Sequence, residues 1–142
     1  MNDDGLRLSF SLDPRLKADT APVAKLPLSD ALLMEDARFP WLILVPRLPD
    51  KADLIDLSSS ERAFLMEEIA AASRALREVT ACEKLNVAAL GNAVRQLHVH
   101  VIARFARDAA WPKPVWGAGE AVAYEAEARD RLIEAIRAAL PA

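Results

Sequence analysis

The chain has 142 residues, with 18 basic and 21 acidic side chains and a formal charge of −3. That balance argues against a general nucleic-acid coat, which needs a broad basic face to displace counterions. Apolar residues at 53% with 27% charged exclude a disordered chain, and a single cysteine, Cys82, excludes an internal disulfide or a thiolate zinc site and fits a reducing compartment.

The N-terminus MNDDGLRLSF is acidic and has no apolar segment of the signal-peptide kind. Residues 6–10, LRLSF, alternate as a short strand would. Residues 13–23, DPRLKADTAPV, read as a turn-rich entry in which Pro14 and Pro22 limit regular structure. Two short apolar runs, 30–34 and 41–45, predict two strands joined across EDARFP in a hairpin-like connection, and Pro46 and Pro49 end the second. The run 41–45, WLILV, is the longest strongly apolar stretch and is far too short for a membrane span. The expectation is one domain over residues 1–142 in a cytoplasmic protein without membrane contact.

Ser58 followed by Glu61 is a capping box, and Leu65, Ile69, Ala72, Leu76 and Val79 recur at three- and four-residue spacing. A helix from Ser58 to Val79 with one apolar stripe follows. Residues 85–90, LNVAAL, read as a strand, and Gly91-Asn92 as a turn. From residue 93 the pattern AVRQLHVHVIARF alternates. It directs Leu97, Val99, Val101 and Ala103 to one face and Gln96, His98, His100 and Ile102 to the other. WPKPVWG is a proline-broken segment with two tryptophans, and Leu132, Ile133, Ile136, Ala139 and Leu140 predict a terminal helix within Tyr124–Leu140.

The only two histidines, His98 and His100, lie two residues apart, so on a strand they share a face. Imidazole suits proton transfer or ligation near neutral pH, although two solvent-exposed strand histidines would give the same spacing. Between Gly91 and Gly117 four basic residues (Arg95, Arg104, Arg107, Lys113) face one acid, Asp108, in a chain that is negative as a whole. That local excess suits an anionic ligand such as a phosphate, or decorates a solvated loop. A third option is a metal protein built from the two histidines and a carboxylate on an adjoining strand.

GNAVRQLHVHVIAR resembles the signature of the histidine triad (HIT) superfamily, His-apolar-His-apolar-His and two apolar residues, introduced by a Gly-Gln or Gly-Asn pair. The likeness extends outward. DALLMEDARFPWLILVPR resembles the family's hairpin over the nucleoside, and DLSSSERAFLMEEIAAASRAL its long helix. KLNVAALGN resembles the strand before the signature, and DAAWPKPVWG a tryptophan-proline segment of one bacterial branch. The resemblance spans roughly residues 6–117, leaving 118–142 as a C-terminal extension with a helix. It implies an α+β fold, an antiparallel sheet with one long central helix packed on a face, and a homodimer.

The resemblance also implies an activity: a nucleotide hydrolase or nucleotidyl transferase attacking an α-phosphate, with phosphoramidates or dinucleoside polyphosphates as substrates and no metal or cofactor. The middle position, His98, is the expected nucleophile. The backbone carbonyl of Gln96 would fix its tautomer, and His100 would contact phosphate oxygens. Gly91, Asn92 and Ala93 would form the phosphate-binding segment, through backbone amides and the Asn92 side chain. Glu35, with Asp36 its neighbour, is expected to hold the ribose, and Leu33, Phe39 and Trp41 to pack on the base. The chain departs from the pattern in three places. Gln96 stands where the first triad histidine would be, Ala93 replaces a serine or threonine, and a further family histidine on the hairpin is replaced near Trp41. These departures keep open a second reading, a nucleotide-binding module with little turnover.

Overall fold

The computed structural model describes residues 9–141. The expected strand at 6–10 therefore lies mostly outside the described residues, and Ser9 and Phe10 belong to neither helix nor strand. The elements are α1 (Pro14–Asp19), β1 (Thr20–Lys25), β2 (Ser29–Met34), β3 (Trp41–Pro46), a 3-10 turn (Leu54–Asp56), α2 (Ser59–Thr80), β4 (Lys84–Ala88), β5 (Val99–Arg104) and α3 (Ala126–Ala139). This is an α+β architecture. The five strands form one antiparallel sheet in the order β1-β2-β3-β5-β4.

The entry segment is more regular than expected. Asp13 caps α1 by accepting the Arg15 amide at 2.8 Å, and Pro14 occupies the first turn, where a missing N–H costs nothing. Pro22 sits in β1, an edge strand whose register shifts between Pro22 and Ala24. An edge strand with a bulge is where a sheet tolerates proline.

The long helix forms as the sequence dictates. Ser58 Oγ accepts the Glu61 amide at 3.2 Å and Glu61 Oε1 accepts the Ser58 amide at 2.7 Å. Ala81, in the left-handed region at φ 55°, ends the helix by donating its amide to the Arg77 carbonyl. Leu65, Ile69, Ala72 and Leu76 enter a core with Leu42, Leu44, Val99, Val101 and Ala103 beneath them, and Val79 packs at its margin. Ile133 and Ile136 of α3 complete that layer.

The opposite face of the sheet carries its own apolar cluster, built by Leu16, Leu32, Phe39, Trp41, Ile43, Val45, Ile102 and Val115. It is covered by α1 and by the segment after β5. This second layer matters for the site, because His100 pairs in register with Ile43 of β3 and Ala88 of β4 on that face.

The alternation read from residue 93 onward has the right parity, but the strand begins only at Val99. β4 ends at Ala88, so residues 94–98 have no neighbour on that side. Their backbone is satisfied otherwise: the Leu97 amide donates to the Lys51 carbonyl at 2.8 Å. His98 thus stands at the mouth of the strand and His100 within it.

Candidate active site

His98 and His100 face each other with ring centroids 4.9 Å apart. Both are buried, at 6% and 4% exposure, which disposes of the solvent-exposed pair. Nδ1 of His98 lies 2.7 Å from the backbone carbonyl of Gln96. A carbonyl only accepts, so Nδ1 carries the hydrogen, and in the neutral ring the lone pair sits on Nε2.

His100 is set the other way round. The Trp41 indole N–H donates to His100 Nδ1 at 3.0 Å. Indole is a donor only, so the neutral His100 ring carries its own hydrogen on Nε2. The ring is enclosed by Trp41 at 5.7 Å and Trp116 at 5.0 Å. Burial, then the nearby His98, push the His100 pKa down from 6.5 to about 4. The pair therefore presents one nitrogen lone pair and one N–H donor, the combination needed to attack an electrophile and hold its oxygen.

The Gln96 side chain does not join them. Its Oε1 accepts the Asp13 amide at 2.9 Å and its Nε2 donates to the Ser11 carbonyl at 2.8 Å, so it ties the lead-in of the signature to the entry of α1. Only its main chain touches a histidine. Gly91 bends the loop before it at φ 69°, and no Cβ would fit that backbone without strain. Asn92 and Ala93 are exposed on this loop. The Ala93 carbonyl accepts Arg15 Nη1 at 3.0 Å, and the Asn92 side chain has no hydrogen-bond partner among the described residues.

The expected nucleoside contacts need correction. Leu33 is fully buried in the helix-side core, on the face away from His100. Strand parity places Leu32 and Met34, not Leu33, on the histidine face. Asp36 is 3% exposed, and its carboxylate is taken by protein donors. Arg38 Nε and Nη2 approach its two oxygens at 3.0 and 2.8 Å, and the amides of Arg38 and Val122 also donate to it. Burial opposes the charged form of Asp36, but these hydrogen bonds outweigh it and hold its pKa below the usual value. Glu35 is half-buried, 3.1 Å from Arg129 of α3. Phe39 is wholly buried, with Arg38 and Arg104 guanidinium groups stacked near its ring.

The local cationic excess is not gathered at the histidines either. Arg104, 1% exposed, is consumed by a two-toothed pair with Asp108 and by bonds to Asn86 and the Lys113 carbonyl. Arg107 stacks on Phe105. What the sequence reading missed is the wall made by the downstream segment. Trp116 closes on His100 and, edge to face at 5.8 Å, on Trp41. Arg38 anchors that segment by donating to the Ala118 carbonyl at 2.6 Å. A cavity of about 420 Å³ opens there, bordered by Met34, Glu35, Arg38, Trp41, Trp116 and Gly117. The second tryptophan of WPKPVW, close after the signature, was the available signal.

Among the described residues no group of three or more His, Cys, Asp or Glu side chains is arranged to hold a metal ion. The two-histidine-one-carboxylate alternative therefore lacks its third ligand there. No helix of the described residues is long and apolar enough to cross a membrane.

Comparison with known proteins agrees with this geometry. The family described as HIT domain matches residues 15–107. A histidine triad protein from Bradyrhizobium japonicum superposes with a TM-score of 0.92 at 52% identity, covering 94% of this chain and 99% of its own. A histidine triad (HIT) protein from Sinorhizobium meliloti gives 0.90 at 44% identity, covering 92% and 97%. One from Marinobacter aquaeolei gives 0.90 at 40%, covering 93% and 96%. No curated protein matches the chain. With the family match spanning most of the sheet and the signature, and three such structures aligned over nearly their whole length, the chain belongs to the histidine triad (HIT) family.

Proposed function

We propose that this HIT protein is a nucleotide hydrolase or nucleotidyl transferase that works at an α-phosphate through a covalent intermediate on His98. HIT proteins typically act on nucleotides, and that class is the frame for the site. The observation that carries the finer reading is the 2.7 Å contact between His98 Nδ1 and the Gln96 carbonyl. It holds the Nε2 lone pair ready without asking anything of the Gln96 side chain, so the missing first histidine does not disable the nucleophile.

In this reading Nε2 of His98 attacks phosphorus, and the bond from phosphorus to the departing nitrogen or oxygen breaks with its electron pair leaving on that atom, which takes up a proton. Water then attacks the nucleotidyl-histidine, releasing a nucleoside monophosphate and restoring the ring. Splitting one displacement in two lowers each barrier. His100 Nε2–H donates to a phosphate oxygen, and its enclosure by two indoles keeps water from competing. The cavity at Trp116 takes the nucleoside, with Glu35 the carboxylate nearest to hand for ribose hydroxyls. The family resemblance adds the homodimer and the single-domain organisation to the proposal.

The test is release of nucleoside monophosphate from nucleoside 5′-phosphoramidates by the wild type and by His98→Ala. Release by the wild type alone supports the reading. Tight nucleotide binding with no release by either protein supports the binding module in its place.

A further inference from the structure

Glu35 borders two cavities at once. One is the cavity of about 420 Å³ walled by Trp41 and Trp116. The other, of about 540 Å³, lies between β1 and α3, with Thr20, Pro22, Ile133 and Arg137 around it. Among the described residues, Arg129 lines the second cavity and not the first. Its guanidinium nevertheless reaches the shared wall: Nη1 donates to Glu35 Oε2 at 3.1 Å. Glu35 Oε1 has no hydrogen-bond partner among the described residues, so α3 holds one oxygen and leaves the other to a ligand.

The two partners come from 94 residues apart. Arg129 lies early in α3, where its amide donates to the Glu125 carbonyl at 2.9 Å. Ile133 and Ile136 share its face of the helix and enter the core, so packing turns Arg129 toward the sheet. A second bond, from Nε to Asp130 Oδ1 at 3.2 Å, fixes the plane of the guanidinium. The Glu35 amide donates to the Asp19 carbonyl at 3.0 Å, which fixes the main chain there and leaves the side-chain torsions to Arg129. Tyr124, from the same C-terminal segment, stands near both carboxylates. Burial, then the charges of Asp36 and Glu35, push its pKa up to about 12, so it stays neutral beside them. The family match ends at residue 107, so Tyr124 and Arg129 both lie beyond it. The Arg129 and Glu35 side chains are 31% and 32% exposed, and an ion pair so open to water contributes little to stability.

We propose that α3 is part of the nucleoside site, with Arg129 a positioning residue that holds the Glu35 carboxylate for the ribose hydroxyls. The proposal rests on the reading of Glu35 as the ribose contact. A free glutamate side chain samples several rotamers and loses that freedom when a ligand fixes it. Arg129 fixes it beforehand, so the nucleotide meets a carboxylate already in place. The hydroxyl donors then go to Oε1. Asp36 does not substitute, because Arg38 and the Val122 amide occupy its oxygens. A 2′-deoxyribose lacks one of the donors and gains less from the arrangement. Selection of ribose over deoxyribose is therefore set by a residue of the C-terminal extension that does not itself touch the nucleotide.

The experiment measures, by calorimetry on the full chain, the affinities for adenosine and guanosine 5′-monophosphates and for their 2′-deoxy forms. The proteins are the wild type, Arg129→Met, Arg129→Lys, Glu35→Gln and the Glu35→Gln/Arg129→Met pair, each checked by circular dichroism and urea unfolding. A hydrogen bond to a charged acceptor contributes about tenfold in affinity, so the wild type is expected to favour ribose by about that factor. Arg129→Met is expected to lower the ratio to about threefold or less, through weaker binding of the ribonucleotides alone, and Arg129→Lys to keep most of it. In the Glu35→Gln background, Arg129→Met is expected to change the ratio by less than about twofold. Equal weakening of both sugars in Arg129→Met, or a fall in the ratio as large with Gln at position 35 as with Glu, makes Arg129 merely structural and overturns the proposal. A wild type that binds both sugars equally overturns the ribose reading of Glu35 and the proposal with it; phosphoramidate cleavage, measured alongside, then decides separately whether the His98 reading stands. Ribose selection that depends on Arg129 in a protein that cleaves no phosphoramidate supports the proposal and overturns the His98 reading alone. No binding of either ribonucleotide by the folded wild type overturns both.

Discussion

Trp41, on β3, donates its indole N–H to Nδ1 of His100, on β5, at 3.0 Å. The bond joins two neighbouring strands across the face that carries both histidines. It also decides which nitrogen of His100 bears hydrogen.

Trp41→Phe keeps an aromatic ring and removes the donor. His100 Nδ1 then lacks its partner, and the ring is released to exchange tautomers. A neutral hydrogen bond contributes about 0.5–1.5 kcal/mol, so kcat is expected to fall about tenfold with KM changed less. The nitrogen-15 shifts of His100 report the tautomer directly. A single unchanged Nε2–H tautomer in the variant would show that Trp41 does not set it.

The pH dependence of stability has a definite sign. His100 is ionised with a pKa of 6.5 when unfolded and about 4 when folded. Between those values the unfolded chain binds a proton that the folded chain does not. Stability is therefore full above pH 6.5 and lost as pH falls through the window, by about 2 kcal/mol at pH 5. Urea unfolding at pH 7 and pH 5 measures it, with His100→Asn as the reference. The wild type is expected to lose about 2 kcal/mol more than the variant; parallel losses would mean that the folded ring titrates normally.

Gln96→Ala leaves the carbonyl that His98 uses and removes two bonds to the entry of α1. Its cost is expected in stability, about 1–2 kcal/mol, with kcat/KM within about tenfold of the wild type. Gln96→His is expected in the same range of activity. A loss in folded Gln96→Ala as deep as that in His98→Ala would show that the amide side chain takes part in the chemistry.

Asp36 and Arg38 are better removed together than singly. Arg38→Ala leaves a buried carboxylate without its partner and is expected to destabilise by about 3 kcal/mol or more. The Asp36→Ala/Arg38→Ala pair is expected to be the more stable of the two variants, because no uncompensated charge remains. Thermal or urea unfolding of both variants checks the order. Both release the Ala118 contact of the downstream segment, and the pair also releases the Val122 contact, so nucleotide affinity is expected to fall in each.

Local chemistry in the sequence was enough for the long helix, since the Ser58–Glu61 box and the leucine and alanine stripe are near-neighbour features. The two histidines were legible for the same reason, being two residues apart. The start of β5 was not, because alternation records side-chain parity and says nothing about where a partner strand ends. Leu33 was misplaced by one residue of parity, which in a strand is the whole difference between faces. Pro14 was read as a breaker although it sits where a helix favours it. The binding of Asp36 by Arg38, and the approach of Trp116 to His100 across 16 residues of chain, are tertiary facts with no local signature.

The central claim is that His98 carries a nucleotidyl group during turnover. Rapid acid-free quench of the wild type with a nucleoside phosphoramidate, followed by intact-mass measurement and peptide mapping, tests it most directly. The account expects a mass gain of one nucleoside monophosphate less water, located on the peptide containing His98 and absent from His98→Ala. Monophosphate released at the full rate with no adduct, or an adduct that persists in His98→Ala, would contradict it.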